Sequence, residues 1–214
     1  MRVSSWFGAA GAVAARRDWL LHDDATGARL GAATSTWLPF SLASRRMVRM
    51  PPELRTFFLT RSPQPPRWAL GEAFAPAKCD AVPADAPGCA SLRHCVRRAD
   101  VDMNRHVNNA RYLAWLLENV PPDVAAAHFA AGVDVEYRAE CGIGDEVHSR
   151  TTLHNTAEQE EGDETARKED GDAGGVTCHH ALLRVRDNAE VLRARTHWRP
   201  RRLVGERDCM MDAR

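Results

Sequence analysis

Apolar and polar residues alternate with a period of two over several stretches of the chain, and follow helical spacing over one. Val3, Ser5 and Phe7 fall on one face of a strand spanning 2–8. Strands are also predicted over 13–22 and 29–41, and Thr26-Gly27 marks the turn between them. Thr34, Thr36, Leu38 and Phe40 alternate with Ser35, Trp37 and Pro39, and Pro39 places a strand end or an edge there. Pro51-Pro52-Glu53 opens a short helix that runs to about Leu59. Residues 60–90 hold half of the prolines and read as a linker.

The second half begins with a strand from Leu92 to Arg98 and continues with one long helix, about Val107 to Val120. Val107, Ala110, Leu113, Ala114 and Leu117 follow its i, i+3, i+4, i+7 spacing. Tyr112, Trp115 and Leu116 widen the apolar surface, so a largely buried helix is expected, ended by Pro121-Pro122. Strands follow at Val133–Tyr137, Glu146–Leu153, Val176–Val185 and Val191–Trp198. A helix followed by four strands of an antiparallel meander is an α+β pattern, and a buried helix wrapped by the sheet is its simplest form.

Composition narrows the function. The 214 residues carry 44% hydrophobic and 27% charged residues, an ordinary globular mix. No apolar run approaches the roughly 20 residues of a membrane span. Net charge is zero, which argues against a nucleic-acid binder. The zero is uneven: Glu158 to Asp172 holds eight acids against Arg167 and Lys168, and the remainder is basic. The acidic segment, within a loop over 156–175, reads as solvated. The six cysteines include no C-x-x-C pair, so neither a zinc site nor any other metal site is expected, and reduced thiols are the default. His179-His180 would point to opposite faces of a strand and reads as structural. Met1 to Arg17 has Arg, Ser and Ala but no acid before Asp18, which fits either an organelle transit peptide or a strand of the fold.

Chemistry concentrates where a strand gives way to the helix. Asp102, Asn104 and His106, spaced by two, share a side if the segment is extended. The helix N-terminus beyond them offers unpartnered N–H groups to a polarised carbonyl oxygen. The bland alternative is that these residues only cap the helix and form turns. A second polar cluster runs from Tyr137 to Gly142. Within it Glu140 would serve as a general base if buried, and Cys141 as a nucleophile if activated by His106.

Arg98 to Asn109, followed by Tyr112, Trp115, Leu117 and Glu118, closely resembles plant and algal fatty acyl-acyl carrier protein thioesterases. So do Val135 to Gly142, Arg16 to Leu20, Arg193 to Pro200, and Arg45-Arg46 with Pro51 to Arg55. The resemblance implies two hotdog domains in tandem, each a long helix wrapped by an antiparallel sheet. It implies a remnant of the first hotdog over 1–59, the linker 60–90, a complete second hotdog over 91–203 and a tail over 204–214. On that reading the chain is N-terminally incomplete, and Met1–Arg17 is internal sequence.

The resemblance also implies a hydrolase of fatty acid biosynthesis that releases free fatty acids from acyl-acyl carrier protein in plastids (the chloroplast stroma), without a cofactor. Asp102 and His106 would orient Asn104, whose amide would hold the thioester carbonyl, and Glu140 would activate water. A rival family proposal gives Cys141 the attack. Asn108 and Asn109 are read as helpers of substrate binding at the helix start. Arg16, Arg17, Arg45 and Arg46 are candidates for docking the acidic carrier protein. The alternative is a truncated, non-catalytic product or carrier-binding module. A sheet face left bare by the missing helix would be covered by a homodimer, by a partner, or not at all.

Overall fold

The computed structural model describes all residues except 11–12, 42, 45, 72–77, 87–88, 156–174 and 202–214. Arg45, the acidic loop and the tail therefore lie outside the described residues. The chain divides into two compact units, Met1–Ala75 and Pro76–Arg214.

The first unit is a three-stranded antiparallel sheet of β1 (Arg2–Ala10), β2 (Ala14–His22) and β3 (Arg29–Trp37), in that order. Leu38-Pro39 interrupts the strand expected to reach 41. The chain resumes as a small ladder of β4 (Phe40–Ser41) and β5 (Arg46–Met47), because proline has no N–H for a continuing ladder. Helix α1 (Pro52–Arg61) packs on β1, with Phe58 against Phe7 at 5.0 Å between ring centroids. Asp18 is fully buried. It accepts two hydrogen bonds from Arg16 at 2.9 Å and one from the Ala69 N–H at 3.1 Å. The Arg16 guanidinium also lies over Trp68.

The second unit holds β6 (Ala90–Cys95), α2 (Asn109–Glu118), α3 (Pro122–Ala127), β7 (His128–Tyr137), β8 (Glu146–Asn155), β9 (Val176–Arg184) and β10 (Ala189–Pro200). All five strands pair antiparallel in the order β6-β8-β9-β10-β7. Only β8, β9 and β10 form a meander; β7 crosses to the far edge and pairs with β10. Helix α2 packs on one face of this sheet, which is the hotdog arrangement of an α+β fold.

Two features of α2 differ from the pattern expected. It begins at Asn109, because Val107 is held by a bridge to Val101 and gives its N–H to the Cys141 carbonyl at 2.9 Å. Its buried stripe is Tyr112, Trp115, Leu116 and Asn119, not the one through Leu113 and Leu117; Leu117 is exposed. The aromatic stripe removes more apolar area from water. It also points Asn119 at a partner inside, the Thr151 hydroxyl at 3.1 Å. From there a buried polar chain continues through His180, 2.9 Å from Thr151 Oγ1 and 2.8 Å from Thr196 Oγ1, to the indole of Trp198. The opposite face of the sheet takes the segment around Cys79, whose N–H donates to Glu136 at 2.8 Å, and His179 faces Asp80 there.

Candidate active site

The segment Asp102–His106 is a tight turn, not the extended run that would line up its polar side chains. The Arg105 N–H donates to the Asp102 carbonyl at 3.0 Å, and the Asp102 N–H donates to the His106 carbonyl at 2.9 Å. Arg105 takes φ of 63°, rare for a residue with a side chain. Asp102 accepts the Asn104 N–H at 2.8 Å, and its second oxygen is 3.5 Å from the Asn104 amide nitrogen. Asn104 is exposed and Met103 is almost fully so, at 96%. The Asn108 side chain caps α2 by accepting the Ala110 N–H at 2.9 Å. Asn109 lies exposed at the helix start, and its carbonyl accepts the Tyr137 hydroxyl at 3.4 Å.

Glu140 comes to this turn from the far end of β7. Its carboxylate stands 3.4 Å from His106 Nδ1, and both side chains reach solvent. The burial on which the sequence reading made a base of Glu140 conditional is not found, since its side chain is half-exposed. The backbone that carries it is gripped along its length. Arg184 on β9 donates to the Glu140 carbonyl. The Cys141 N–H donates to the Tyr112 hydroxyl at 3.1 Å, the Cys141 carbonyl accepts from Val107, and the Gly142 N–H donates to Asp145 at 2.9 Å. Arg184 is itself forked onto Asp187, with contacts at 3.0 and 2.7 Å. Gly144, at φ of 85°, completes the turn that returns Asp145 to Gly142.

Cys141 faces inward. It is 1% exposed and belongs to the core with Tyr112, Leu116 and Leu182. Burial pushes its thiol above the ordinary range, only partly offset by the Tyr112 hydroxyl. A thiol held protonated is a poor nucleophile.

Residues with no obvious sequence signal complete the frame. Asp100 is buried and accepts the Arg97 N–H at 2.8 Å and Arg111 at 2.6 Å, while its carbonyl takes the Asn108 N–H at 2.9 Å. Tyr112 reads in sequence as an apolar helix position and as part of the family resemblance, with no role assigned to its hydroxyl. Arg184 lies on another strand, so spacing does not connect it to Glu140.

The docking arginines are a mixed set. Arg16 is 8% exposed and engaged by Asp18, so it is no part of an open basic surface. Arg17 donates to Ser5 at 2.8 Å and lies over Phe7 and Trp19, while Arg46 is exposed. Among the described residues no group of His, Cys, Asp and Glu is placed to hold a metal, and no helix is long and apolar enough to cross a membrane.

Several known proteins are similar to this chain over most of its length. The chloroplastic oleoyl-acyl carrier protein thioesterase 2 of Arabidopsis thaliana is 34% identical over 93% of this chain and 56% of its own length. A chloroplastic palmitoyl-acyl carrier protein thioesterase of Gossypium hirsutum is 33% identical over 94% of this chain and 46% of its own. The solved 12:0-ACP thioesterase from Umbellularia californica superposes with a TM-score of 0.73 at 30% identity, over 93% of this chain and 66% of that one. The chain thus spans about half the length of the curated relatives it matches. Residues 89–200 match the acyl-ACP thioesterase C-terminal domain, and that stretch contains the turn, α2 and Glu140; the chain belongs to the acyl-ACP thioesterase family.

Proposed function

We propose that the chain hydrolyses the thioester of a fatty acyl-acyl carrier protein in fatty acid biosynthesis. Water adds to the carbonyl carbon, the carrier thiol leaves with a proton, and a free fatty acid is released. The observation that carries this reading is the Glu140 carboxylate 3.4 Å from His106, beside the Asp102–Asn104 turn at the start of α2. Glu140 takes the proton of the attacking water. Asn104, oriented by Asp102 and His106, donates to the developing oxyanion together with N–H groups at the helix start. A thioester is already an activated acyl group, so an oriented water and a carboxylate suffice. The inward, protonated Cys141 favours water over a covalent route.

The partner in this reading is the acidic carrier protein, met by exposed arginines such as Arg46. Arg17 is half-buried and Arg16 is enclosed by its ion pair, so Arg46 leads the set. The chloroplastic names of the relatives support a plastid location. The test is turnover of acyl-acyl carrier protein against acyl-CoA by the 214-residue chain. Release of fatty acid with preference for the carrier-bound substrate is expected. Binding of carrier protein without any turnover would favour the non-catalytic module instead.

A further inference from the structure

We infer that Tyr112 and Arg184 are positioning residues that hold Glu140 against His106, through the backbone on either side of it. The inference rests on the reading of Glu140 as the base. Glu140 sits beyond the end of β7, where the ladder no longer fixes the chain. The Arg138 and Ala139 N–H groups both turn to the single carbonyl of Val191, so regular pairing has ended. A carboxylate on such a segment, with its side chain half in water, depends on its backbone for its aim.

Two side chains supply the missing constraint. The Arg184 guanidinium takes the Glu140 carbonyl, and its fork onto Asp187 leaves it one orientation. The Tyr112 hydroxyl takes the next N–H, that of Cys141, at 3.1 Å. Tyr112 is 2% exposed and stands edge-on to Trp115, so its ring cannot follow if the segment drifts. The peptide joining Glu140 to Cys141 is thus held at its oxygen by β9 and at its nitrogen by α2. The same helix begins just after the turn that bears His106. Tyr112 therefore references the carboxylate to the element that carries the rest of the site.

The experiment compares Tyr112→Phe and Arg184→Gln with the unaltered 214-residue chain. Tyr112→Phe keeps the ring and removes only the hydroxyl; Arg184→Gln acts at the sheet's end and reports if the core variant does not fold. Two readouts are taken: the nuclear Overhauser contact between the Glu140 side chain and the His106 ring, and kcat and KM for acyl-acyl carrier protein. Loss of the contact, with kcat down about 10²-fold as an ångström's misplacement predicts and KM within about twofold, is the expected result. A purely structural role would lower the melting temperature and leave the contact and kcat of the folded protein unchanged, and that result overturns the inference. If the unaltered protein shows no turnover yet the variants lose the contact, the hydrolase reading fails and the positioning role stands. If the contact survives in the folded variants, the positioning role fails whatever the turnover.

Discussion

The carboxylate of Asp100 meets the guanidinium of Arg111 at 2.6 Å, and so ties the first turn of α2 to the chain that leads into the candidate turn. Asp100 is 4% exposed. Burial alone would raise its pKa, but the Arg97 N–H and Arg111 outweigh it and hold the carboxyl below its usual value. Arg111→Met keeps the aliphatic stem and leaves a buried carboxylate with one fewer partner. It should cost about 1 kcal/mol at neutral pH, because the Arg111 guanidinium is half in solvent and the Arg97 N–H remains. A depressed carboxyl pKa stabilises above the unfolded value and loses that contribution as pH falls through the folded one. The difference from the unaltered protein should therefore be full at pH 7 and smaller at about pH 2, below the unfolded carboxylate range. Urea unfolding at the two pH values measures it; equal midpoints at pH 7 would contradict the pairing.

Glu140 and Cys141 are neighbours with opposite fates, which separates the two chemical routes. Glu140→Gln should lower turnover by about 10²–10⁴-fold, the range of a general base. Asn104→Ala should lower it by about 10²–10³-fold, the worth of one oxyanion donor, and Asp102→Ala and His106→Ala should follow by misorienting the amide. Cys141→Ala should keep most of the activity. An acyl group trapped on Cys141, seen by mass spectrometry in a quenched reaction, would reverse the assignment.

His180 should make the fold acid-sensitive. It is fully buried between Thr151 and Thr196, and burial, with His179 adjacent, lowers its pKa to about 4. The unfolded chain takes up this proton near pH 6.5 and the folded one only near 4, so stability falls as pH drops between those values. The full effect is about 3 kcal/mol, since a tenfold loss of proton affinity is worth about 1.4 kcal/mol. Unfolding free energies at pH 7, 5.5 and 4.5 should fall along that curve. A His180→Gln variant should flatten the curve, whatever its absolute stability, and a slope left unchanged would count against the residue.

The thiols should divide by burial. The five described cysteines are free. Cys79, Cys141 and Cys178 are buried, and desolvation raises each thiol, Cys79 and Cys178 to about 11. Cys95 is exposed and Cys89 half-buried. Among these five, alkylation at pH 8 followed by peptide mapping should label Cys95 first and Cys89 next, with the three buried thiols reached only on unfolding. Early labelling of Cys141 would show that its pocket opens to solvent.

Much of the second unit was legible along the chain because its determinants are local. Strands β8, β9 and β10 fall where strands were expected, and Pro121-Pro122 stops α2 wherever the helix begins. In the first unit, Pro39 broke the strand it was expected to end. The likeness of the Arg98–Asn109 stretch to thioesterases likewise lies in the order of its residues, which needs no coordinates.

What the sequence could not decide is set by contacts between distant segments. Both apolar stripes of α2 satisfy helical periodicity, and the choice between them was made by the sheet, which offers Thr151 to Asn119 and a cleft to the aromatic rings. Val107 fits the helical spacing, yet it is captured by Val101 and the Cys141 carbonyl before the helix can start. Arg16 looks like a surface cation until Asp18 and Trp68 enclose it. By itself, then, the sequence determined the α+β class, the sites of the strands and the residue types at the turn, because propensity and periodicity act over a few neighbours. Only the tertiary structure decided which helical face is buried, that β7 pairs with β10, and that Glu140 faces His106, because those depend on hydrogen bonds and packing that exist only once distant segments have met.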